Sequence, residues 1–354
     1  MNSIELRHHV ETDIPAILSL LADNDPPRAG MFCLDYFRWQ FENTPSGKAI
    51  TTVADDRGEV VGFGALLPFG AIANLEKVMV YEGAEYVVKA SHRGRGLFGR
   101  MVQMQLNQAR MQRGFLSYAF PSHMSYHSYT SRLGYRHVTD IPYWLCVTDP
   151  RLLGSGWKAA LAWSVKLVGR HPFRVRRRPA IAGAVGLQVG QETALDEEFH
   201  HCYVHAMEHT ALSLLRDVAF MVWRYQTHPY HHYDLWTVRS RDGWLLGYAW
   251  VRGATISDLV CTPDERICET LLTAIIAHAA NNGIPVLNLY CMANEDICAG
   301  LRRAGFLSWN RAPRPFGLYP RQRLLTTLLN CGPGERALLG EGWYFTTGDI
   351  DCKL

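Results

Sequence analysis

Residues 87–100 read VVKASHRGRGLFGR, and this stretch decides the fold of the first half of the chain. A β-rich run precedes it, and an amphipathic run over 101–106 follows it. Glycines let consecutive backbone N–H groups turn toward one point, and a helix N-terminus adds unpaired donors and the positive end of its dipole. The stretch therefore predicts a strand, a loop that can cradle a pyrophosphate, and a helix.

The elements on either side of this stretch predict a mixed α/β layout. The predicted order is a strand at 4–7, helices after Thr12 and over 34–42, strands at 49–54, 60–66 and 75–89, a helix over 94–113, a strand at 115–120, a helix over 124–133 and a strand at 135–147. This order, β-α-α-β-β-β-α-β-α-β, is typical of a mixed α/β sheet covered by helices.

The second half of the chain repeats the first. Trp39 and Trp223 each stand six residues before a proline, and a hairpin follows in both halves. Each half then closes on a helix that runs into a glycine and an aromatic residue, at 134–135 and 305–306. The second copy is shorter by about one strand and a loop, which suggests that it lacks the counterpart of residues 71–82.

Length and composition set the class of protein. A chain of 354 residues with 48% hydrophobic residues suits two packed domains. A net charge of +3 gives no global field for nucleic acid. The nine cysteines form no CxxC pair, and neither a signal-type start nor a membrane-length apolar run is found. We therefore expect reduced thiols, a cytoplasmic location and no nucleic-acid partner.

The glycine-arginine loop resembles that of the GCN5-related N-acetyltransferase (GNAT) superfamily, which reads Gln/Arg-x-x-Gly-x-Gly/Ala after a strand that often ends in Val-x-Pro. Arg93 matches the first position and Gly96 the fourth. Phe98 replaces the small sixth residue and Ala90 replaces the common proline. Some branches carry a similar Arg-Gly-x-Gly-(Ile/Leu)-Phe loop. The resemblance covers about residues 3–147 well and 190–310 more weakly.

The resemblance implies an acyl-CoA co-substrate, acetyl-CoA or a related thioester, held by the first half alone. The implied cofactor-binding residues are Val87, Val88, Arg93, Gly94, Arg95, Gly96, Leu97, Phe98 and Gly99. The equivalent stretch of the second half, 256–266, has no glycine and three acidic groups, which repel a pyrophosphate. We therefore expect tandem GNAT-like domains, with the second degenerate and supplying half of an acceptor cleft.

The expected domain boundaries follow from the repeat. They are a GNAT domain with the CoA loop over 1–148, a basic linker over 149–184, and a second GNAT-like domain without that loop over 185–354. The stretch 152–178 is either an amphipathic membrane-surface contact with a basic tail or a solvated connector, and its short apolar part favours the connector.

Amine acylation needs a base for the acceptor ammonium and an acid for the departing thiolate. The resemblance puts the base on the strand before the loop, so Glu85 and Glu82 are candidates; the alternative is a solvent-facing edge glutamate. It puts the acid five residues before the aromatic of the glycine-aromatic pair, where this chain has Thr130, so the nearby Tyr129 and Tyr126, which share a helix face, are the candidates. Alternatively, both tyrosines only pack against the sheet.

Three further groups of residues are candidates for ligand binding. His201, His205 and His209 lie four apart on a predicted helix, but no partner completes a metal site, so an exposed or pocket-lining face is favoured over a metal. Residues 228–232 line either an acceptor pocket or a plain loop. Asp349 and Asp351 end a predicted strand on one side, where they either bind an acceptor or belong to a solvated chain end.

These observations predict an acyl-CoA-dependent N-acyltransferase acting on a small-molecule amine. By analogy with GNAT-like proteins of bacterial surface-polysaccharide pathways, the preferred acceptor is an amino sugar or sugar nucleotide. The alternatives are a Fem-type aminoacyl transferase, a non-catalytic CoA-binding or scaffold protein, and a membrane-associated transferase of longer acyl chains. The intact loop argues against the Fem type.

Overall fold

The computed structural model describes residues 4–153, 186–309, 322–330 and 342–350. The described residues form two compact units. One consists of residues 4–140, 227–230 and 322–330. The other consists of residues 141–153, 186–226, 231–309 and 342–350.

The elements of the first half follow the predicted order closely. They are β1 (Glu5–Arg7), a 3-10 turn (Glu11–Asp13), α1 (Ile14–Asn24), a 3-10 segment (Pro26–Met31), α2 (Leu34–Phe37) continued by a π-helical turn (Arg38–Glu42), β2 (Ile50–Asp56), β3 (Glu59–Ala73), β4 (Glu76–Val88), a 3-10 turn (Ala90–His92), α3 (Leu97–Met111), β5 (Leu116–Ala119), α4 (His123–Arg132), β6 (Arg136–Asp140), β7 (Tyr143–Val147) and a 3-10 turn (Pro150–Leu153).

The elements of the second half repeat that order. They are β8 (Gln188–Glu192), α5 (Glu197–Ala206), β9 (Leu212–Leu214), α6 (Val218–Met221) continued by a π-helical turn (Val222–Gln226), β10 (Asp234–Arg239), β11 (Leu245–Arg252), β12 (Thr255–Cys261), α7 (Glu265–Asn281), β13 (Val286–Met292), α8 (Glu295–Ala304), β14 (Leu307–Trp309), β15 (Arg323–Leu328), β16 (Trp343–Thr346) and a 3-10 turn (Thr347–Asp349).

The first unit is built on a sheet of order β1-β2-β3-β4-β5-β15-β6. All neighbours are antiparallel except β4 and β5, which are parallel. The helix α3 packs on this sheet because Met101, Val102, Leu106 and Ala109 repeat on one face and are all fully buried. Burying Met101, Val102 and Leu106 contributes about 1.5–3 kcal/mol for each side chain.

The second unit has a corresponding sheet. Strands β8, β10, β11 and β12 are antiparallel neighbours, and β12 pairs parallel with β13. Strand β13 also pairs with β7 and with β16. The predicted single strand at 135–147 is two strands: β6 pairs with β15, β7 pairs with β13, and Pro142 between them has no N–H to donate to a ladder.

One expectation for the second half is corrected in part. The counterpart of residues 71–82 is lost from the end of the hairpin, but no whole strand is lost, because β12 is the counterpart of β4. The hairpin is simply shorter: β11 and β12 have 8 and 7 residues, where β3 and β4 have 15 and 13. The boundary predicted at residue 148 stays a prediction, although β7 makes its ladders with β13 and β14 of the second unit.

The C-terminal expectation is also corrected. Strand β16 ends at Thr346, and Asp349 lies in the following 3-10 turn rather than on a strand. Its side chain is buried, so this part of the chain is not a solvated end. Asp351 and most of the linker stretch 152–178 lie outside the described residues. None of the described helices has the length and apolar character needed to cross a membrane.

Asp349 belongs to a buried charge cluster, which we call the Arg216 cluster: Arg216, Asp258 and Asp349. Arg216 Nε lies 3.2 Å from Asp258 Oδ2, and its Nη2 lies 2.5 Å from Asp349 Oδ2. All three side chains are excluded from solvent, and one guanidinium faces two carboxylates. Burial and the nearby Asp258 carboxylate raise the pKa of Asp349 above its ordinary value, although Arg216 opposes the shift.

Replacing Arg216 by Met leaves two buried carboxylates without a cation. We expect the free energy of unfolding to fall by about 3–5 kcal/mol, measured by urea denaturation. The matched variant is Asp349→Asn, which keeps the shape and removes one negative charge. An equal fall in the free energy of unfolding in both variants would contradict this explanation from charge.

The pH dependence of Asp349→Asn follows from the raised pKa. The folded state binds the Asp349 proton more tightly than the unfolded chain, so the wild-type protein loses stability as pH rises from the ordinary Asp pKa of about 3.9 to the raised pKa. The variant lacks this loss. Its melting temperature should exceed that of the wild-type protein at pH 8, and the difference should shrink as pH falls.

Candidate functional site

The parallel strands β4 and β5 part inside the first unit. Their ladder ends at the pair Gly83 and Ala119, although β4 continues to Val88. Just past this point, two residues of β4 face the single residue Gly64 of β3, because Ala65 pairs with Ala84 and Phe63 with Val87. Such a bulge bends the strand away from its neighbour. We call the resulting opening between β4 and β5 the fork.

Beyond the bulge, β4 presents backbone groups to the fork. Lys89 N–H donates to Val61 O at 2.8 Å, so Val88 directs its own N–H and C=O away from β3 under the alternation of an antiparallel ladder. Among the described residues, no strand enters the fork beyond Gly83 and Ala119. The Val88 backbone therefore faces an opening that an extended ligand can pair with.

The bulge is held by a side chain that the sequence did not single out. The Tyr86 ring crosses Gly64 so closely that a Cβ on Gly64 would overlap it, which requires glycine there. The Tyr86 hydroxyl donates to Gln105 Oε1, and Gln105 Nε2 donates to Gly64 O at 2.7 Å. Gln105 is fully buried on α3, so this network ties the helix to the bulge.

The loop after β4 has the geometry that the sequence predicts. Gly94 and Gly96 adopt φ values of +78° and +73°, a region that costs other residues more. The backbone bond from Arg100 N–H to Gly96 O, 3.1 Å long, begins the helix, so the amides of residues 97–99 precede it and have no helical acceptor. A Cβ built on Gly94, Gly96 or Gly99 meets nothing within 4 Å. This stretch, residues 94–99, is an open cradle for an anion.

Three arginines give the cradle positive charge. Arg93 donates from Nε to Val88 O at 3.0 Å and from Nη2 to Asn24 Oδ1 at 3.1 Å. Arg95 and Arg100 donate to the backbone oxygens of Ser91 and Ile4. Within the described ranges, none of the three arginines forms an ion pair, so their charges are not cancelled by neighbouring carboxylates. The site attracts a polyanion such as a pyrophosphate.

Of the two predicted tyrosines, only Tyr129 reaches the fork. Its hydroxyl oxygen is 3.1 Å from the Cβ position of Gly83, the last ladder residue of β4. Its ring packs edge-on against Phe98, with centroids 5.3 Å apart, and Phe98 packs likewise against Tyr86. Tyr126 instead lies under the Arg323 guanidinium, 4.8 Å from its ring centroid. Tyr129 thus packs against the sheet and also places a hydroxyl at the fork.

The two predicted carboxylates are not solvent-facing edge residues, so that alternative is wrong. Glu82 is 3% exposed and lies in the ladder with β5, opposite Tyr118. Glu85 is 5% exposed and occupies the bulge with φ +50°, an uncommon conformation for a residue other than glycine. Arg28 Nη2 donates to both Glu85 oxygens, at 3.0 and 3.3 Å. Arg28 is the functional candidate that sequence reasoning missed.

The second unit has the same frame, but its fork is filled. Strands β12 and β13 pair only at Thr255 and Asn288 before they part. The segment 343–349 enters there: β16 pairs with the end of β13, and Tyr290 N–H donates to Thr347 Oγ1 at 2.9 Å. On the other side, the Tyr344 hydroxyl donates to the backbone oxygen of Leu259 on β12.

The helix after that fork is also closed to anions. Helix α7 begins with its own carboxylate cap, because Asp264 Oδ1 accepts the Arg266 N–H at 2.9 Å. The cap occupies the end of the helix at which α3 presents free amides. The chain thus fills the fork and caps the helix of the second unit with its own groups.

The predicted histidine sites gain no support as metal centres. Within residues 4–153, 186–309, 322–330 and 342–350, no group of three or more His, Cys, Asp or Glu side chains is arranged to hold a metal ion. His228 is buried, with its ring 4.4 Å from the Trp39 ring. Tyr230 is 41% exposed and its hydroxyl lies 2.6 Å from Cys33 Sγ.

The fork and the cradle together suit a ligand that has an anionic group and an extended part. A family model described as an acetyltransferase (GNAT) domain matches residues 6–138, which contain the whole cradle and β4 and β5. Residues 6–138 are therefore a GNAT acetyltransferase domain, the domain of acyltransferases of that type. A GNAT fold implies an acyl-CoA co-substrate, and the cradle fits its pyrophosphate. No curated protein is significantly similar to the chain in sequence.

Solved structures share the fold along nearly the whole chain. A protein from Enterococcus faecalis V583, described as a probable N-acyltransferase, aligns with TM-score 0.60 and 11% identity over 93% of this chain and 73% of its own. A GCN5-related N-acetyltransferase from Anabaena variabilis gives 0.58 and 14% over 92% and 73%. The N-myristoyltransferase of Saccharomyces cerevisiae gives 0.57 and 11% over 93% and 80%. The predicted mixed α/β fold of tandem GNAT-like halves is confirmed.

An acidic N-cap on α3, like the one on α7 in the second unit, should prevent the cradle from binding a pyrophosphate. In Gly96→Asp, a carboxylate stands where Asp264 stands in the other half, and it competes with the pyrophosphate for the helix amides. We expect CoA affinity to fall by at least about tenfold, or 1.4 kcal/mol, in isothermal titration. The control is Gly58→Asp, a turn glycine with φ +89° and equally open space. Equal effects of the two substitutions would contradict the assignment of the cradle.

Proposed function

We propose that the chain transfers a short acyl group, in the simplest case acetyl, from CoA to the amino group of a small molecule. The observation that carries this proposal is the meeting of three features in one place: an open anion cradle, an open fork and the Tyr129 hydroxyl at its apex. An extended pantetheine fits the free edge of β4 beyond Gly83, as an added strand pairs with a sheet edge.

The proposed reaction is direct transfer. The acceptor amine attacks the thioester carbonyl, the carbon–nitrogen bond forms, and the tetrahedral intermediate loses the thiolate of CoA. A backbone N–H at Val88 is directed into the fork and can polarise the carbonyl. Tyr129 gives a proton to the leaving sulfur, and Glu85 or Glu82 accepts the proton of the acceptor ammonium.

The acceptor class rests on analogy and on charge. An amino sugar or amino-sugar nucleotide is our preferred acceptor, with a carboxylate to meet its ammonium. The aromatic packing of Phe98 between Tyr86 and Tyr129 supports a short acyl group, because these rings occupy the space beside the fork. Residues of the loop proposed to contact CoA are those of the cradle together with Val87, Val88 and Arg93.

The direct test is a thiol-release assay with purified full-length protein. Acetyl-, butyryl- and myristoyl-CoA are each combined with a panel of amino sugars, amino acids and polyamines. Amine-dependent thiol release with acetyl-CoA supports the proposal. Tight CoA binding with no release for any amine would favour the non-catalytic CoA-binding alternative, and release only with myristoyl-CoA would favour a long-chain transferase.

Tyr129→Phe removes the hydroxyl at the fork and leaves the ring packing. If Tyr129 protonates the thiolate, kcat falls by about 10²-fold or more, while CoA affinity stays near that of the wild-type protein. Tyr126→Phe, on the same helix but away from the fork, is the matched control and should change kcat by less than about threefold. The reverse ranking of the two variants would reassign the acid to Tyr126.

A further inference from the structure

We infer that Arg28 is a positioning residue for the transfer: its guanidinium fixes the Glu85 carboxylate at the bulge. This inference rests on the proposed function, in which Glu85 takes up the proton of the acceptor. Arg28 acts through Glu85.

The guanidinium of Arg28 is anchored independently of Glu85. Its Nε donates to Asp25 Oδ2 at 2.8 Å, and its central carbon lies 5.0 Å from the centroid of the Phe32 ring. Asp25, Arg28 and Phe32 all lie in or beside the short 3-10 segment after α1. Because two contacts fix the guanidinium, its third contact, with both Glu85 oxygens, fixes the carboxylate.

The bulge explains why Glu85 needs such an anchor. A bulge redirects one side chain out of the alternation of the strand, and Glu85 is that residue, with φ +50°. This backbone conformation is strained and persists only where other contacts hold it. The ion pair with Arg28 spans 57 residues of sequence and joins the bulge to the segment before α2.

The second unit has a corresponding arginine–carboxylate pair, in which the arginine makes more hydrogen bonds. Counting back from the strand ends, Asp258 of β12 corresponds to Glu85 of β4, and Arg216 precedes α6 as Arg28 precedes α2. Arg216 donates to Asp258, Leu214 O, Thr346 and Asp349 and is excluded from solvent. The pair there is closed to solvent.

The first unit leaves its pair less constrained. Arg28 Nη1 has no hydrogen-bond partner in the part of the chain that the structure describes, and the side chain keeps 13% exposure. Unlike Asp258, Glu85 is not tied to a C-terminal turn, since no described strand fills the first fork. The Arg28–Glu85 pair, in which the arginine is partly exposed, thus lies in the unit that has the open cradle.

The test compares kcat and KM for four variants of the full chain: Arg28→Met, Arg28→Lys, Asp25→Asn and Glu85→Gln. CoA titration and circular dichroism verify that each variant is folded. In Arg28→Met we expect kcat to fall by about tenfold or more, while the KM for acetyl-CoA stays within about threefold of the wild-type value, because a displaced carboxylate affects the transfer and not the cradle. Arg28→Lys keeps a cation without the bidentate geometry and should recover part of the lost kcat.

The controls separate this inference from the proposed function. Asp25→Asn keeps the cation and its contact with Phe32, so it should lower kcat less than Arg28→Met does. Glu85→Gln should remove most of the activity. If Glu85→Gln stays fully active, the proposed base is wrong. If Glu85→Gln is inactive but a folded, CoA-binding Arg28→Met keeps the wild-type kcat, Glu85 is the base and the inference about Arg28 is wrong. If Arg28→Met does not fold, a wild-type kcat in Arg28→Gln overturns it instead.

Discussion

The site depends on the parting of two parallel strands. A parallel ladder continues only while the two strands keep their register. The extra residue at the Glu85–Tyr86 bulge changes the register of β4 immediately after Gly83 and Ala119, where the ladder ends. The free edge of β4, the apex where Tyr129 places its hydroxyl, and the redirected Glu85 all result from this one break. The bulge is in turn held by Tyr86 across Gly64 and by the Arg28 ion pair.

The same arrangement of strands and helices occurs in both halves of the chain, but the fork and the helix start differ between them. Each half has a helical turn continued by a π-turn, a hairpin, a bulged strand and a helix that starts beside it. In the first half, the helix begins with glycines and the fork is open. In the second half, Asp264 caps the helix and the segment 343–349 bridges the two parting strands. Buried polar groups need partners, and the second unit finds them within the chain itself.

The sequence predicts the parts that depend on local pattern. The glycines of 94–99, the turn glycines of the hairpins and the spacing of Trp39 and Trp223 each carry a local signal, and the elements around them lie where they are expected. The residues predicted to bind CoA accordingly run from the end of β4 to the first turn of α3. A glycine at positive φ is readable from sequence because only glycine adopts that conformation at little cost.

The parts that depend on distant contacts could not be predicted. Glu85 adopts positive φ without being glycine, so nothing at that position marks a bulge. Arg28 meets Glu85 across 57 residues, and Asp349 meets Arg216 across 133. The C-terminal strand pairs with β13 through only two residue pairs, and its burial depends on a fork that exists only after folding. Alternating carboxylates at 349 and 351 therefore indicated a strand end where a turn occurs.

We propose one CoA site per chain, in the first unit. Isothermal titration of the full chain with CoA measures this directly. A single saturable transition with a stoichiometry of about one is the predicted result, because the second fork is filled and its helix is capped. A stoichiometry of about two, or no binding at saturating CoA, would contradict the account.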